Sequence, residues 1–248
     1  MLFNGNCLDV LPTLEKESVH LVVTSPPYNV DLGNNKNNKK GYDIYNDNLS
    51  HKEYINFLGA VFSSIFPLLT IDGRVCINIG DGCNGHIPTH VDISHTLFEI
   101  GYHCFGHIIW DKKNLSNRAS WGSYCSPSSP SFPTPFEHIL LFYKESKKLQ
   151  REGETDITPD EFKKYATSLW SIRPETQGLH PAAFPIEIPN RIIKMLTYIG
   201  DTVLDPFSGS GTTLVSAKLL RRKYIGIELS EKYFEIIKRR LKSFKRLF

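Results

Sequence analysis

Thr24-Ser25-Pro26-Pro27-Tyr28 closes the short β-branched run Leu21–Val23 with a hydroxyl, two rigid residues and an aromatic ring. Neither proline has an N–H, and each fixes its own φ, so a sheet ladder cannot continue through them. The carbonyl oxygens of Ser25 and Pro26 are then held in fixed directions. A flat, amino-bearing ring could stack on Tyr28 and donate its two N–H bonds to the Ser25 hydroxyl and a backbone carbonyl. That geometry aims the lone pair of the amino nitrogen at a methyl donor. Extrusion of a base from a duplex is the way to bring such a ring there.

A second constellation lies near the other end of the chain. "TVLD" reads as a short buried strand, "PFSGSGTT" as a tight loop opening the helix "LVSAKLL", and "YIGIELS" as the next strand, ending in Glu228. Gly209 and Gly211 let the backbone approach a ligand. Glu228 stands where a carboxylate accepts hydrogen bonds from ribose hydroxyls. The loop lacks the Gly-Lys-Ser/Thr of a phosphate-binding P-loop, because Thr212-Thr213 follow Gly211. The third glycine of a dinucleotide fingerprint is absent too, since position 214 is leucine. What remains is a nucleoside site without a phosphate cradle, with Asp205 before the loop to face a cationic or amino-bearing ligand. S-adenosyl-L-methionine has those groups: a ribose, an amino acid moiety and a sulfonium.

The elements that must hold these residues alternate. "VHLVVTS", "DGRVCINIG", "CFGHIIWDK", "FEHILLFYK", "TVLD" and "YIGIELS" read as strands. "SHKEYINFLGAVFSSIFPLL" reads as an amphipathic helix with Ser50 and Glu53 as its capping box and Phe57, Ala60, Val61 and Ser64 at helical spacing. "VDISHTLFEIGYH" reads as a helix ended by Gly101, and "PAAFPIEIPNRIIKMLTYI" as a helix after a proline-rich lead-in. This alternation predicts an α/β fold, a mainly parallel sheet with helices on both faces. Ligands in such sheets bind at the carboxyl ends of strands, so Tyr28 and the glycine loop belong on one edge. The Asn/Lys-rich stretch 31–48 reads as a loop. Residues 145–171, polar and charged, read as an insertion outside the sheet core.

Composition frames this. The 248 residues, 40% hydrophobic and 22% charged, suit one globular domain spanning 1–248, and the net charge of +3 does not by itself announce a polyanion partner. Basic residues cluster from Arg221 onward, most simply as a solvated amphipathic helix end. Five cysteines without a CxxC pair argue for reduced thiols in a cytoplasmic protein. No apolar run approaches the roughly 20 residues of a membrane span. Cys83, His86, His90 and His95 invite a zinc reading, but Pro88 interrupts their helical spacing, and structural or surface histidines are the expectation, with no metal.

Together these residues resemble the amino-group DNA methyltransferases of restriction–modification systems, in the β arrangement, where the catalytic motif comes early and the cofactor loop late. The resemblance rests on "TSPPY", "DPFSGSGTT", Glu228, "HPAAFPIEIPNRIIKML" and "GNCLDVL", and covers nearly the whole chain except about 144–171. It implies a Rossmann-like S-adenosyl-L-methionine-dependent methyltransferase fold with permuted motif order. It implies catalysis at Ser25, Pro26, Pro27 and Tyr28. It implies cofactor binding by Asp9 (adenine), by His180 and Pro185 (methionine end), and by Asp205, Pro206, Phe207, Gly209, Gly211, Thr212 and Glu228. "WDKKN" and "EHILLFYK" resemble segments lining the base pocket. The insertion at 145–171 occupies the place of a target-recognition region, short for that task, with the loops 31–48 and 116–135 as further candidates. Double-stranded DNA is the implied partner, with a cognate restriction endonuclease and a homodimer as open additions.

In that family "SPPY" goes mostly with cytosine N4 and "DPPY" mostly with adenine N6, so N4-methylcytosine is the expected product and N6-methyladenine the alternative. Two other classes stay open. One is a catalytically inactive subunit of this fold that only binds nucleic acid. The other, a protein-glutamine methyltransferase, would carry Asn at Ser25 and the reverse motif order. Taken singly, Thr24–Tyr28 could be a strand cap, Asp9 an Asx-type turn, Asp205 turn chemistry, and Trp121 and Trp170 packing residues.

Overall fold

The computed structural model describes residues 1–29, 49–82, 86–113, 122–132, 134–174 and 184–243. Its strands are β1 (Leu2–Asn4), β2 (Val19–Thr24), β3 (Leu69–Ile79), β4 (His103–Asp111), β5 (Phe136–Tyr143), β6 (Leu169–Ser171), β7 (Thr202–Asp205) and β8 (Lys223–Glu228). Its helices are α1 (Cys7–Val10), α2 (His51–Ile65), α3 (Thr89–Ile100), α4 (Pro159–Tyr165), α5 (Glu187–Leu196), α6 (Thr212–Leu219) and α7 (Glu231–Ser243). The strands form one sheet in the order β1-β8-β7-β2-β3-β5-β4-β6. Every neighbouring pair is parallel except those made by β5, which runs against both β3 and β4. The sheet is mainly parallel, as the alternation of elements requires.

β2 is central and buried on both faces, which is why it reads as continuous apolar sequence. Val22 packs toward α2 and α3, whereas Leu21 and Val23 pack toward α5 and α6. Helices thus cover both faces. Ser50 and Glu53 form the expected capping box at the start of α2, and Gly101 ends α3 in the left-handed region at φ 112°. The buried stripe of α2 is Tyr54, Leu58, Val61, Phe62 and Ile65, so Phe57 and Ser64 lie beside the core face and not on it.

The reversal of β5 has a positional effect. Its first residue Phe136 pairs with Asp111 at the end of β4, and His138 pairs with Ile79 at the end of β3. The start of β5 therefore lies on the same edge as the carboxyl ends of β2, β3, β4, β7 and β8.

Residues 145–171 differ from the expectation of a segment outside the sheet. Leu169–Ser171 adds β6 to the edge of the sheet, parallel to β4. Trp170 is buried in the core and its indole N–H donates to the Tyr165 carbonyl at 3.0 Å. Arg151 pairs with Asp201 at 2.7 Å, Asp156 with the buried Arg222 at 2.7 Å, and Glu161 with Lys194 on α5 at 2.6 Å. These ties fasten the segment to the body, because each links it to α5 or to the β7–β8 region. The stretch 31–48, expected to be a loop and holding Lys36, Lys39 and Lys40, lies outside the described residues, as do Cys83 and Trp121.

Candidate active site

Two strand ends meet at the centre of the sheet edge. β2 pairs with β7 through Leu21–Val203 and Val22–Leu204, so the Pro-Pro turn after β2 and the glycine loop after β7 are neighbours. A buried hydrogen bond joins them: Thr24 Oγ1 donates to Asp205 Oδ1 at 2.7 Å. The same carboxylate oxygen accepts the Phe207 amide at 3.1 Å. Asp205 is 2% exposed, and burial pushes its carboxyl up to about 6 against those hydrogen bonds. Its oxygen Oδ1 is engaged by the protein, which makes Asp205 the tie between the two motifs.

The Tyr28 ring lies against Gly80 after β3, where a Cβ would come within 3.5 Å of its edge. Its hydroxyl is the hub of a network. Ser25 Oγ donates to Tyr28 Oη at 3.0 Å, Asn78 Nδ2 donates to it at 2.7 Å, and Tyr28 Oη donates to Glu137 Oε2 at 2.8 Å. Asn78 Nδ2 also donates to that carboxylate oxygen at 2.7 Å, while Lys112 forms an ion pair with Oε1. Asn78 and Glu137 are 2% and 7% exposed, so the bonds made by the Asn78 amide nitrogen and the Glu137 carboxylate lie inside the protein. Sequence reasoning marked the segments "WDKKN" and "EHILLFYK" but not Lys112 and Glu137 as side chains, and it missed Asn78. A charged residue inside the apolar run of β5 and an amide inside that of β3 were the available signals.

Beyond Tyr28 the chain turns at Asn29, φ 51°, whose side chain both donates to the Leu49 carbonyl at 2.7 Å and accepts the Leu49 amide at 2.8 Å. This clasp joins the chain at Asn29 to the chain at Leu49 beside the site.

On the β7–β8 side the loop is shaped by backbone geometry. Gly209 and Gly211 have φ of 52° and 80°, and a Cβ on Gly211 would meet two Ile237 carbons at 3.0 Å. Gly211 thus serves both the turn and the packing of α7. Glu228, at the tip of β8, accepts the Gly209 amide through Oε2 at 2.7 Å and the Ser230 amide through Oε1 at 2.8 Å. Burial outweighs these bonds and pushes its carboxyl up to about 7. Pro206 is buried, Thr212 opens α6, and the Phe207 ring sits 5.9 Å from that of Phe57.

Asp9 is exposed on α1, which follows β1; Asn4 at the end of β1 pairs with Glu228, so Asp9 and Glu228 share one edge. Asn6 caps that helix by accepting the Leu8 amide at 3.0 Å, so Asn6 and not Asp9 makes the local turn contact. Pro185 is buried at the head of α5, where its carbonyl accepts the Ile188 amide at 3.0 Å. His180 lies outside the described residues.

On the opposite face of β5, Asp81 Oδ1 lies 2.7 Å from His90 Nδ1, Asp81 Oδ2 lies 3.3 Å from His138 Nε2, and His138 Nδ1 lies 3.0 Å from His107 Nε2. The Asp81, His90 and His138 ligand atoms fall within 4.8 Å of one another. The His90 and His138 rings, however, stack at 3.7 Å with an 8° tilt, so their in-plane lone pairs run side by side and do not converge. Burial is the main cause that lowers the His138 pKa, to about 4. His86 is exposed, and His95 stands 3.7 Å from Glu99. Of the basic residues near the chain end, Arg222 is buried, its guanidinium donating to the Thr197 carbonyl at 2.8 Å, and Arg240 donates to the Ser210 carbonyl at 2.6 Å under the glycine loop. These two are structural cations. No described helix is long and apolar enough to cross a membrane.

A family profile described as DNA methylase matches residues 19–239. The type II methyltransferase M.MjaVI of Methanocaldococcus jannaschii is 36% identical over 71% of this chain and 87% of its own length. M.MjaI of the same organism, also a type II methyltransferase, is 32% identical over 92% of this chain and 86% of its own. Among solved structures, TTHA0409 of Thermus thermophilus, in complex with S-adenosyl-L-methionine, superposes with a TM-score of 0.78 at 29% identity, covering 100% of this chain and 95% of that one.

Proposed function

This chain belongs to the DNA methylase family, and on that premise we propose that it moves a methyl group from S-adenosyl-L-methionine to the N4 amino group of a cytosine flipped out of double-stranded DNA. The observation that carries the reading is the 2.7 Å bond between Thr24 and Asp205, which ties an amine-clamping turn to a nucleoside loop on adjacent strands.

The residues of the glycine loop suit the cofactor. Gly209 and Gly211 take up left-handed backbone, the loop has no lysine for a phosphate, and Glu228 offers a carboxylate to ribose hydroxyls. Asp9 would serve the adenine, with Pro206, Phe207 and Thr212 shaping the pocket between. Pro185 and His180 would serve the methionine end. Asp205 would act by holding the loop in shape. The cofactor supplies the electrophilic methyl group.

The remaining work falls to the turn after β2. Tyr28 stacks on the flipped base, while the Ser25 hydroxyl and the Pro26 carbonyl accept the two amino N–H bonds. The amine is a weak nucleophile because its lone pair is delocalised into the ring, and acceptors at both N–H groups draw that lone pair out. Serine in place of aspartate at the head of the motif favours cytosine N4 on the family's usage. On a single domain of 1–248, the proposed target-reading part of 145–171 is its end, where Leu169–Ser171 runs beside Ile109–Asp111 toward the site edge, because Arg151 and Asp156 are tied to Asp201 and Arg222 at the amino ends of β7 and β8. The stretch between Asn29 and Leu49 is the second proposed reader.

Nucleoside mass spectrometry of DNA methylated in vitro by the purified protein tests the product. N4-methylcytosine is expected, and N6-methyladenine without N4-methylcytosine would overturn the base assignment.

A further inference from the structure

Tyr28 Oη has one proton and two lone pairs. The two donors, Ser25 Oγ at 3.0 Å and Asn78 Nδ2 at 2.7 Å, fill the lone pairs, and the proton goes to Glu137 Oε2 at 2.8 Å. The direction is not interchangeable. The Glu137 carboxylate, in an ion pair with Lys112, can only accept. Were Tyr28 to turn its proton toward Ser25, two oxygens 2.8 Å apart would face each other with no proton between them, inside a pocket where Glu137 is 7% exposed. Tyr28 must therefore donate to Glu137, and Ser25 must donate to Tyr28. The one proton of the Ser25 hydroxyl is used within the protein. Only lone pairs remain for whatever approaches from outside.

The geometry points to Glu137 as a positioning residue that sets the direction of this hydrogen-bond chain, so that Ser25 accepts an N–H from the target amine and cannot donate to the ring nitrogen beside it. The inference rests on the proposed amino-methyltransferase reading. It gives a neutral serine the acceptor-only character that an aspartate has by charge. A serine free to rotate would divide its time between accepting from the amine and donating to the ring nitrogen, and only the first helps to draw out the amine's lone pair. Lys112 supplies the counter-charge and Asn78 fills the second lone pair of Tyr28, so each member of the cluster removes one way in which the chain could reverse.

Glu137→Gln keeps the shape of the side chain but presents an amide that both donates and accepts. The single-turnover rate of methyl transfer to DNA, followed with a tritiated methyl donor that registers slow turnovers, should fall about tenfold or more, the worth of one directed hydrogen bond. Cofactor affinity should stay near wild type, because Glu137 touches the clamp and not the glycine loop. The deciding measurement is a double-mutant cycle with Ser25→Ala. If Glu137 acts through the serine, Glu137→Gln costs little further rate once the serine hydroxyl is gone. If the two losses multiply, Glu137 merely braces the strand ends and the inference is overturned. Tyr28→Phe, which breaks the chain at its middle, gives the same comparison should Glu137→Gln fold poorly. No transfer by the wild-type protein would overturn the functional reading and this inference with it, whereas wild-type transfer with multiplying losses would overturn the inference alone.

Discussion

Glu228→Gln separates the loop's architecture from its ligand chemistry. Each Glu228 oxygen accepts one backbone amide, Gly209 at 2.7 Å and Ser230 at 2.8 Å. Glutamine offers one carbonyl oxygen and one NH2 group, so one of the two amides would face a donor. The bond to a ribose hydroxyl also loses its charge. A hydrogen bond to a charged group contributes about 1.5–3 kcal/mol, which is about a tenfold to hundredfold loss of S-adenosyl-L-methionine affinity at pH 8. The loss of fold stability should be smaller, because the substitution also removes a charge that burial disfavours.

The pH dependence sharpens this prediction. The Glu228 carboxyl sits near 7, raised by burial, and a hydroxyl donor favours its ionised form. In the free protein it is mostly protonated at pH 6 and mostly ionised at pH 8. Wild-type affinity should therefore rise with pH through 7, by up to about tenfold between pH 6 and 8. Glu228→Gln lacks that rise, and dividing the two profiles cancels titration of the ligand itself. Isothermal calorimetry at several pH values is the assay. A variant that binds as tightly as wild type with the same pH slope would refute the assignment of Glu228 to the ribose.

Three further outcomes follow from the same geometry. Tyr28→Ala should lose more methyl transfer than Tyr28→Phe, because it removes base stacking of about 1–3 kcal/mol as well as the hydroxyl; equal rates for the two variants would leave no role for the ring. Thr24→Val should cost about 1.5–3 kcal/mol in urea unfolding, since it removes a 2.7 Å bond to a buried carboxylate, and an unchanged midpoint would show that Asp205 does not need the tie. His138, whose pKa burial lowers from 6.5 to about 4, is neutral in both states above pH 6.5, whereas below it the unfolded chain takes up the proton first. The His138 contribution should thus fall by roughly 3 kcal/mol as pH drops from 6.5 to 4, read as the change across that range in the stability difference between wild type and His138→Asn in denaturant melts.

The readable parts of the sequence were those whose meaning is local. Ser50 with Glu53, Gly101 after α3, and the glycines after β7 announce themselves within a few positions, because caps and turns depend on neighbours in the chain. The pairing of "TSPPY" with "DPFSGSGTT" was legible through a rule of architecture, that parallel strands gather ligand sites at one edge. The role of Glu137 was not. It depends on β5 running backwards and on a register that sets its carboxylate beside a hydroxyl 109 positions earlier. The same limit hid the burial of Asp205, whose partner Thr24 is 181 positions away, and the addition of β6 to the sheet edge. Residues 145–171 looked inserted because their composition is polar, yet Arg151, Asp156 and Glu161 are paired with charges on the body of the fold.

That the two motifs leave from adjacent strands has a consequence for how far the chemistry can be retuned. Neighbouring strands stand about 4.8 Å apart, a spacing set by backbone hydrogen bonds and shared by every sheet. The starting separation of the proposed amine clamp and the proposed cofactor loop is therefore inherited from the lattice of the sheet, with the Thr24–Asp205 bond as the side-chain tie across it. Substitutions at the rim leave that strand spacing as it is. A strand slipped by one position would jump by a whole residue and turn every side chain to the other face. Variation in such a protein is thus channelled outward, into the segments beyond the strand ends, while the spacing of the strands themselves stays out of reach of gradual change.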